Sequence, residues 1–245
     1  ALRLPVIPVP DITTENGRRL LTAHIDGDGF PTRAELPGAP LASRVLLEDI
    51  LQRYRIPHAM SVIEAEVAPH GLYPELSAEM ENIARRMFAL PHVEIASHTF
   101  SHPFRWDNTV KHGIFKDADA DESYHLAVPG YHLDLTREIV GSMNYVQTRL
   151  APPNKTASLL LWSGDTAPGV EALGIVAAAG FLNMNGGDTQ ITRSNPSLTA
   201  VAPIGIRKGR YQQIYAPMTN ENIYTNLWRG PFYGFRRVIE TFELT

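Results

Sequence analysis

A chain of 245 residues, 44% of them hydrophobic, can bury one large core, and a formal net charge of −4 argues against nucleic acid or an anionic membrane surface as the main partner. With no cysteine, a disulfide frame, a thiolate zinc site and a cysteine nucleophile are all excluded. No apolar run approaches the length of a membrane span, so membrane insertion is not expected.

In chain order, Leu4 to Pro10 is a proline-punctuated lead-in and Asn16-Gly17 a tight-turn signal. The first expected strand, Leu20–Ile25, runs into His24-Ile25-Asp26-Gly27-Asp28-Gly29-Phe30, where two carboxylates end an apolar run and two glycines permit a sharp turn. Leu41, Val45, Leu46, Ile50, Leu51 and Tyr54 then recur with helical spacing. Ala59–Ile63 is a second strand, and Pro74 opens a helix whose buried face is Leu76, Met80, Ile83, Met87 and Phe88. Val93–Ala96 is a third strand, ending in Ser97-His98-Thr99-Phe100-Ser101-His102.

The alternation breaks over 103–133, a polar, aromatic loop of a length usually reserved for function or mobility. A helix follows, with Ile139, Val140, Met143, Val146 and Leu150 on one side. Ser158–Trp162 is a fourth strand opening into Ser163-Gly164-Asp165, and the helix Val170–Ala179 stops at Gly180. Phe181–Asn185 is a fifth strand ending in Gly186-Gly187-Asp188, and the stretch from Ile204 through Tyr215 is β-like. Without repeats or a linker, this is one α/β domain over 1–245, a parallel sheet or barrel.

Asp-x-Asp on an extended segment projects both carboxylates from one face, and they repel unless a cation or proton joins them. A plain turn fits the same residues, since Asp and Gly are common there. His98 and His102 are spaced to bind one metal ion together, on a helical face or on a loop; alone, a solvated helix turn explains them as well. With one carboxylate they make a His₂Asp set, which leaves positions open and suits zinc among divalent ions. Ser97, Thr99 and Ser101 are small groups able to orient such ligands.

Asp26-Gly27-Asp28 followed by His98-Thr99-Phe100-Ser101-His102 resembles the first two motifs of the NodB-type polysaccharide deacetylases. The wording from His24 to Phe30 and from Ser97 to Trp106 is similar to deacetylase domains of exopolysaccharide biosynthesis in Gram-negative biofilms. The resemblance implies a distorted (β/α) barrel with Asp26 as catalytic base and Asp28, His98 and His102 as ligands of one divalent ion. It implies N-deacetylation of an N-acetylhexosamine polysaccharide in the periplasm, with other exopolysaccharide-machinery proteins as partners. Two motifs depart from the family. The strand exit Trp162-Ser163-Gly164-Asp165-Thr166-Ala167-Pro168-Gly169 keeps Pro-Gly but lacks the Arg that braces the base. The C-terminal His taken as general acid has no counterpart after His132, so the chain is expected to be a segment of a longer protein; the alternative acid is His125 or His132.

Asp26 as a second metal ligand stays open beside its role as base. Trp106, Tyr131 and Trp162 are aromatic faces on which sugar rings could stack, against the commoner fate of core packing. His24 would pack beside the acidic turn, and Asp165 would contact substrate, orient a ligand or cap a helix, with Asp188 sharing that ambiguity. His125 and His132 read best as surface residues. Two rivals remain: a metal–nucleotide glycosyltransferase using Asp-x-Asp, and a non-catalytic glycan-binding module that keeps the metal but lacks its acid. Neither a Gly-x-Ser-x-Gly elbow nor a phosphate-binding P-loop is present.

Overall fold

Five short strands run side by side in the order in which the chain makes them, all parallel: β1 (Ala23–Ile25), β2 (His58–Val62), β3 (Val93–Ser97), β4 (Leu159–Leu161) and β5 (Leu182–Met184). The computed structural model describes residues 23–106, 125–185 and 204–215. The lead-in, Asn16-Gly17, the middle of the long loop and Asp188 lie outside them. Sequential order means that the strands wind in one sense without the reversal of a doubly wound sheet. The sheet accordingly curls into a half-barrel.

Side-chain alternation divides the sheet into two apolar faces. Met60, Val62, Ile95 and Leu160 point outward into the main core, while Ala59, Ala96, Leu159 and Leu161 form a second cluster with Met184. The register places Ala96 beside Leu159 and Leu161 beside Met184, so the inner residues line up across strands. All five residues of β2 are buried, which is why its sequence reads as a continuous run rather than an alternating one.

Helices cover the outer face. Helix α1 runs through Ala42–Val45 and Leu46–Leu51, α2 is Glu64–Val67 and α3 is Pro74–Phe88. Helix α4 is built from Arg137–Gly141, Ser142–Tyr145 and Val146–Leu150, and α5 is Val170–Ala178. Pro74 starts α3 where its missing N–H costs nothing, and Met80, Ile83, Met87 and Phe88 are fully buried as the spacing predicts. Burying each such side chain contributes about 1.5–3 kcal/mol.

The face of α1 departs from its sequence pattern. Leu47 and Leu51 are buried, but Ile50 is 39% and Tyr54 59% exposed. The Gln52 N–H bonds to the Leu47 carbonyl, five residues back. Such wide turns hold one residue more than α-turns, which rotates later side chains away from the expected stripe. Beyond β5, β6 (Ile204–Lys208) and β7 (Tyr211–Tyr215) form an antiparallel hairpin turning at Gly209, whose φ is 60°. No helix among the described residues is long and apolar enough to cross a membrane.

Candidate metal centre

In a parallel sheet all strands end on one edge, and the chemistry-bearing residues of this chain collect there. Asp26 and Asp28 follow β1. Gly27 between them lies directly on the end of β2, where a Cβ would come within 2.8 Å of the Ile63 nitrogen and the Val62 Cα. Only glycine allows this approach, and it pins both carboxylates against the neighbouring strand. Ser61 Oγ donates to the Ile25 carbonyl at 3.2 Å, and the Thr32 hydroxyl to the Gly29 carbonyl at 2.6 Å, closing the turn.

His98 and His102 stand on a loop after β3, not on a helix. The His98 N–H donates to the Val62 carbonyl at 2.9 Å, carrying the strand ladder one residue further. Thr99 and His102 then take φ values of 74° and 54°, which non-glycine residues adopt only when held. The three small side chains supply much of the holding. Ser97 Oγ accepts the Thr99 N–H and Thr99 Oγ1 the His102 N–H, each at 3.1 Å.

The rest of the holding comes from Glu138 of α4, a buried carboxylate. It accepts the Phe100 and Ser101 N–H groups at 2.9 Å each, the Ser101 hydroxyl, and the Tyr131 hydroxyl at 2.7 Å. Beside it, Arg137 grips the buried Glu64 through two bonds of 2.8 and 2.6 Å and lies 3.8 Å over the Phe100 ring. Sequence reasoning missed Glu138; its only signal is an acid next to Ile139 on the apolar face of a helix.

The result is a compact ligand set. Asp28 Oδ1 lies 2.9 Å from His102 Nε2 and Asp28 Oδ2 3.1 Å from His98 Nε2. One ligand atom from each of Asp28, His98 and His102 falls within 4.8 Å of the others, so the three could hold a metal ion. The fit extends to the tautomer. His98 Nδ1 is 3.0 Å from the Leu161 carbonyl, which can only accept, so Nδ1 carries a proton and Nε2 is the nitrogen that could ligate an ion.

The charges of the group suit a cation. Burial alone would raise the Asp28 carboxyl, but hydrogen bonds from His102 and His98 and their charge hold it well below the usual carboxylate range. Burial works to lower His98, yet the Asp26 charge and the hydrogen bond and charge of Asp28 push it up to about 9. Glu66 of α2 is buried, with Oε2 lacking a hydrogen-bond partner; burial first, then the Asp28 charge, pushes it up to about 8. It is the second group that sequence reasoning missed.

A pH dependence follows. An ion held there would have to displace the proton that His98 keeps up to about 9, so its affinity is expected to rise with pH until that value is passed. Zinc affinity should climb by up to about tenfold per pH unit between about pH 6 and 8, with proton release visible by calorimetry in buffers of different ionisation enthalpy. A pH-independent affinity over that span would contradict the assignment.

Asp26 occupies a different position. Its Oδ1 is 3.9 Å from His98 Nδ1, at the opposite edge of the imidazole from Asp28, and it does not belong to the three-residue group. Both its oxygens receive the Asn185 side-chain amide, at 3.2 and 3.0 Å. His24 Nε2 lies 3.3 Å from Asn185 Oδ1, which puts His24 at the site's margin.

Trp106 and Trp162 are both buried and pack edge to face with centroids 4.7 Å apart. Trp106 also donates to the Ser163 carbonyl and Trp162 to Asn183, so neither ring offers a face to a sugar. Phe104, whose ring meets that of His102 at 5.2 Å, is the exposed aromatic beside the ligands. Asp165 Oδ1 accepts the Ala167 N–H at 3.1 Å, closing a turn ahead of α5, where Gly169 takes the cap position. His125, read from sequence as a surface residue, is buried beside Tyr131 instead, because the adjoining Leu126 bonds the Ser101 carbonyl and draws the segment inward. His132 is exposed.

No protein-family model matches the chain, and no curated protein matches it.

Proposed function

We propose that the chain is a metal-dependent hydrolase that removes acetyl groups from the N-acetylhexosamine units of a polysaccharide. The observation that carries this reading is a division of labour between neighbouring carboxylates: Asp28 joins His98 and His102, while Asp26 stands beside them outside the group. Amide hydrolysis needs that combination. Asp28, His98 and His102 would hold a divalent ion, which when bound would supply Lewis acidity to acidify water and polarise a carbonyl, and two imidazoles with one carboxylate suit zinc. Asp26 is the carboxylate left to take a proton from the attacking water, a contribution of about 10²–10⁴-fold.

The sequential parallel half-barrel supports a distorted (β/α) barrel of the deacetylase type, with the site on the carboxyl edge of its strands. The exposed Phe104 ring beside His102 offers a surface on which a pyranose can stack. Exopolysaccharide processing in the periplasm, among other proteins of that machinery, is the setting this chemistry suits.

The test is acetate release from N-acetylhexosamine oligomers. Zinc-loaded protein should release acetate, chelation should stop it, and added zinc should restore it. Protein that binds both ion and oligomer yet releases nothing would refute hydrolysis and leave a glycan-binding module. Binding of nucleotide sugars without acetate release would favour glycosyl transfer.

A further inference from the structure

Asn185 follows β5 directly and has a φ of 108°, a backbone region that L-residues seldom enter. Its side chain is 1% exposed, and its contacts fix which end of the amide points where. Nδ2 donates to the Trp162 carbonyl at 2.7 Å and to both Asp26 oxygens. A carbonyl and a carboxylate only accept, so this atom must be the nitrogen, and Oδ1 is left to accept from His24 Nε2. From the hairpin, the buried Gln213 donates to the Thr166 carbonyl at 2.6 Å and to the Asn185 carbonyl at 3.3 Å. Side chain and backbone of Asn185 are thus tied to β4, β1 and β7.

We infer that Asn185 is a positioning residue that holds Asp26 outside the coordination sphere of the ion, which is how two aspartates on one turn come to do different work. The inference rests on the metal centre proposed above. A dication attracts any carboxylate that can rotate toward it, and Asp26 Oδ1 already lies 3.9 Å from the ring of His98. Asp26 stays back because both its oxygens are engaged by the Asn185 amide. A neutral amide does this without cancelling the charge that makes Asp26 useful as a base. Gln213 extends the brace into the hairpin, giving β6 and β7 a part in the site.

The test reads the ion rather than turnover. Cobalt(II) replaces zinc, and its visible absorption reports ligand number. Asn185→Gly removes the brace and relieves the positive φ together; Asn185→Asp keeps the shape but repels Asp26. Both should change the cobalt spectrum and tighten the ion by about tenfold as a second carboxylate joins. Adding Asp26→Ala to either should restore the wild-type spectrum and affinity. A spectrum unchanged in both folded variants, or a change that Asp26→Ala does not reverse, would overturn the role of Asn185 alone. Wild type that takes up no cobalt would overturn the metal centre itself.

Discussion

On the proposed reading, Asp28→Ala is expected to abolish divalent-ion binding and acetate release together, whereas Asp26→Asn should keep the ion and lower turnover by about 10²–10⁴-fold. The contrast follows from which nitrogens each carboxylate meets. Asp28 bridges the two Nε2 atoms and holds one oxygen toward each, so its loss leaves two imidazoles and no anion. Asp26 faces the Nδ1 edge of His98, and an amide in its place still meets Asn185 while losing the capacity to accept a proton. Elemental analysis of the folded variants checks the first half, and acetate release at saturating zinc the second. If Asp26→Asn also loses the ion, Asp26 is a ligand and the water must find its base elsewhere.

The features legible in the sequence share a cause: each is local. Strand exits announced themselves where apolar runs met Asp26 and His98, and sequential alternation of strand and helix led to a parallel sheet. The two histidines and the aspartate pair were legible as candidates, but the choice of Asp28 over Asp26 came from the family resemblance, and the structure brings Asp28, His98 and His102 together. What escaped was set by distant contacts. Glu138 looked like an interruption of a helical stripe until the loop of His98 and His102 came to rest on it. Asn185 is one polar residue among several near a glycine pair, and its meaning lies in Asp26, far away along the chain. Trp162 stood open between sugar platform and core, because aromatic rings at strand exits can serve either purpose, and burial decided for the core. Helix α1 buries Leu41 and Leu51 of its expected stripe but turns Ile50 and Tyr54 outward, through wide turns that hydrophobic periodicity does not encode.

The second large effect is expected at Glu138. Its carboxylate satisfies two backbone N–H groups and two hydroxyls, and Glu138→Ala strands the Phe100 and Ser101 N–H groups and the Ser101 hydroxyl, while the Tyr131 hydroxyl keeps Asp134 as a partner. Unsatisfied buried donors cost about 1–3 kcal/mol each, with partial recovery where water enters, so about 3–5 kcal/mol of stability should be lost. That is a large part of the roughly 5–15 kcal/mol that holds a domain folded. Stability alone would not separate Glu138 from any other buried acid, and Glu81 supplies the comparison. Also buried, Glu81 is bonded to Arg85, Arg149 and Tyr145, and so ties α3 to α4 without touching the loop of His98 and His102. Glu81→Ala should lower the urea midpoint and leave zinc affinity nearly as it was. Glu138→Ala should lower both, with affinity falling by about 10–100-fold, because Thr99 and His102 keep their strained backbone only while the loop is held down. Equal losses of zinc affinity in the two variants would mean that Glu138 supports the fold in general and not the two histidines.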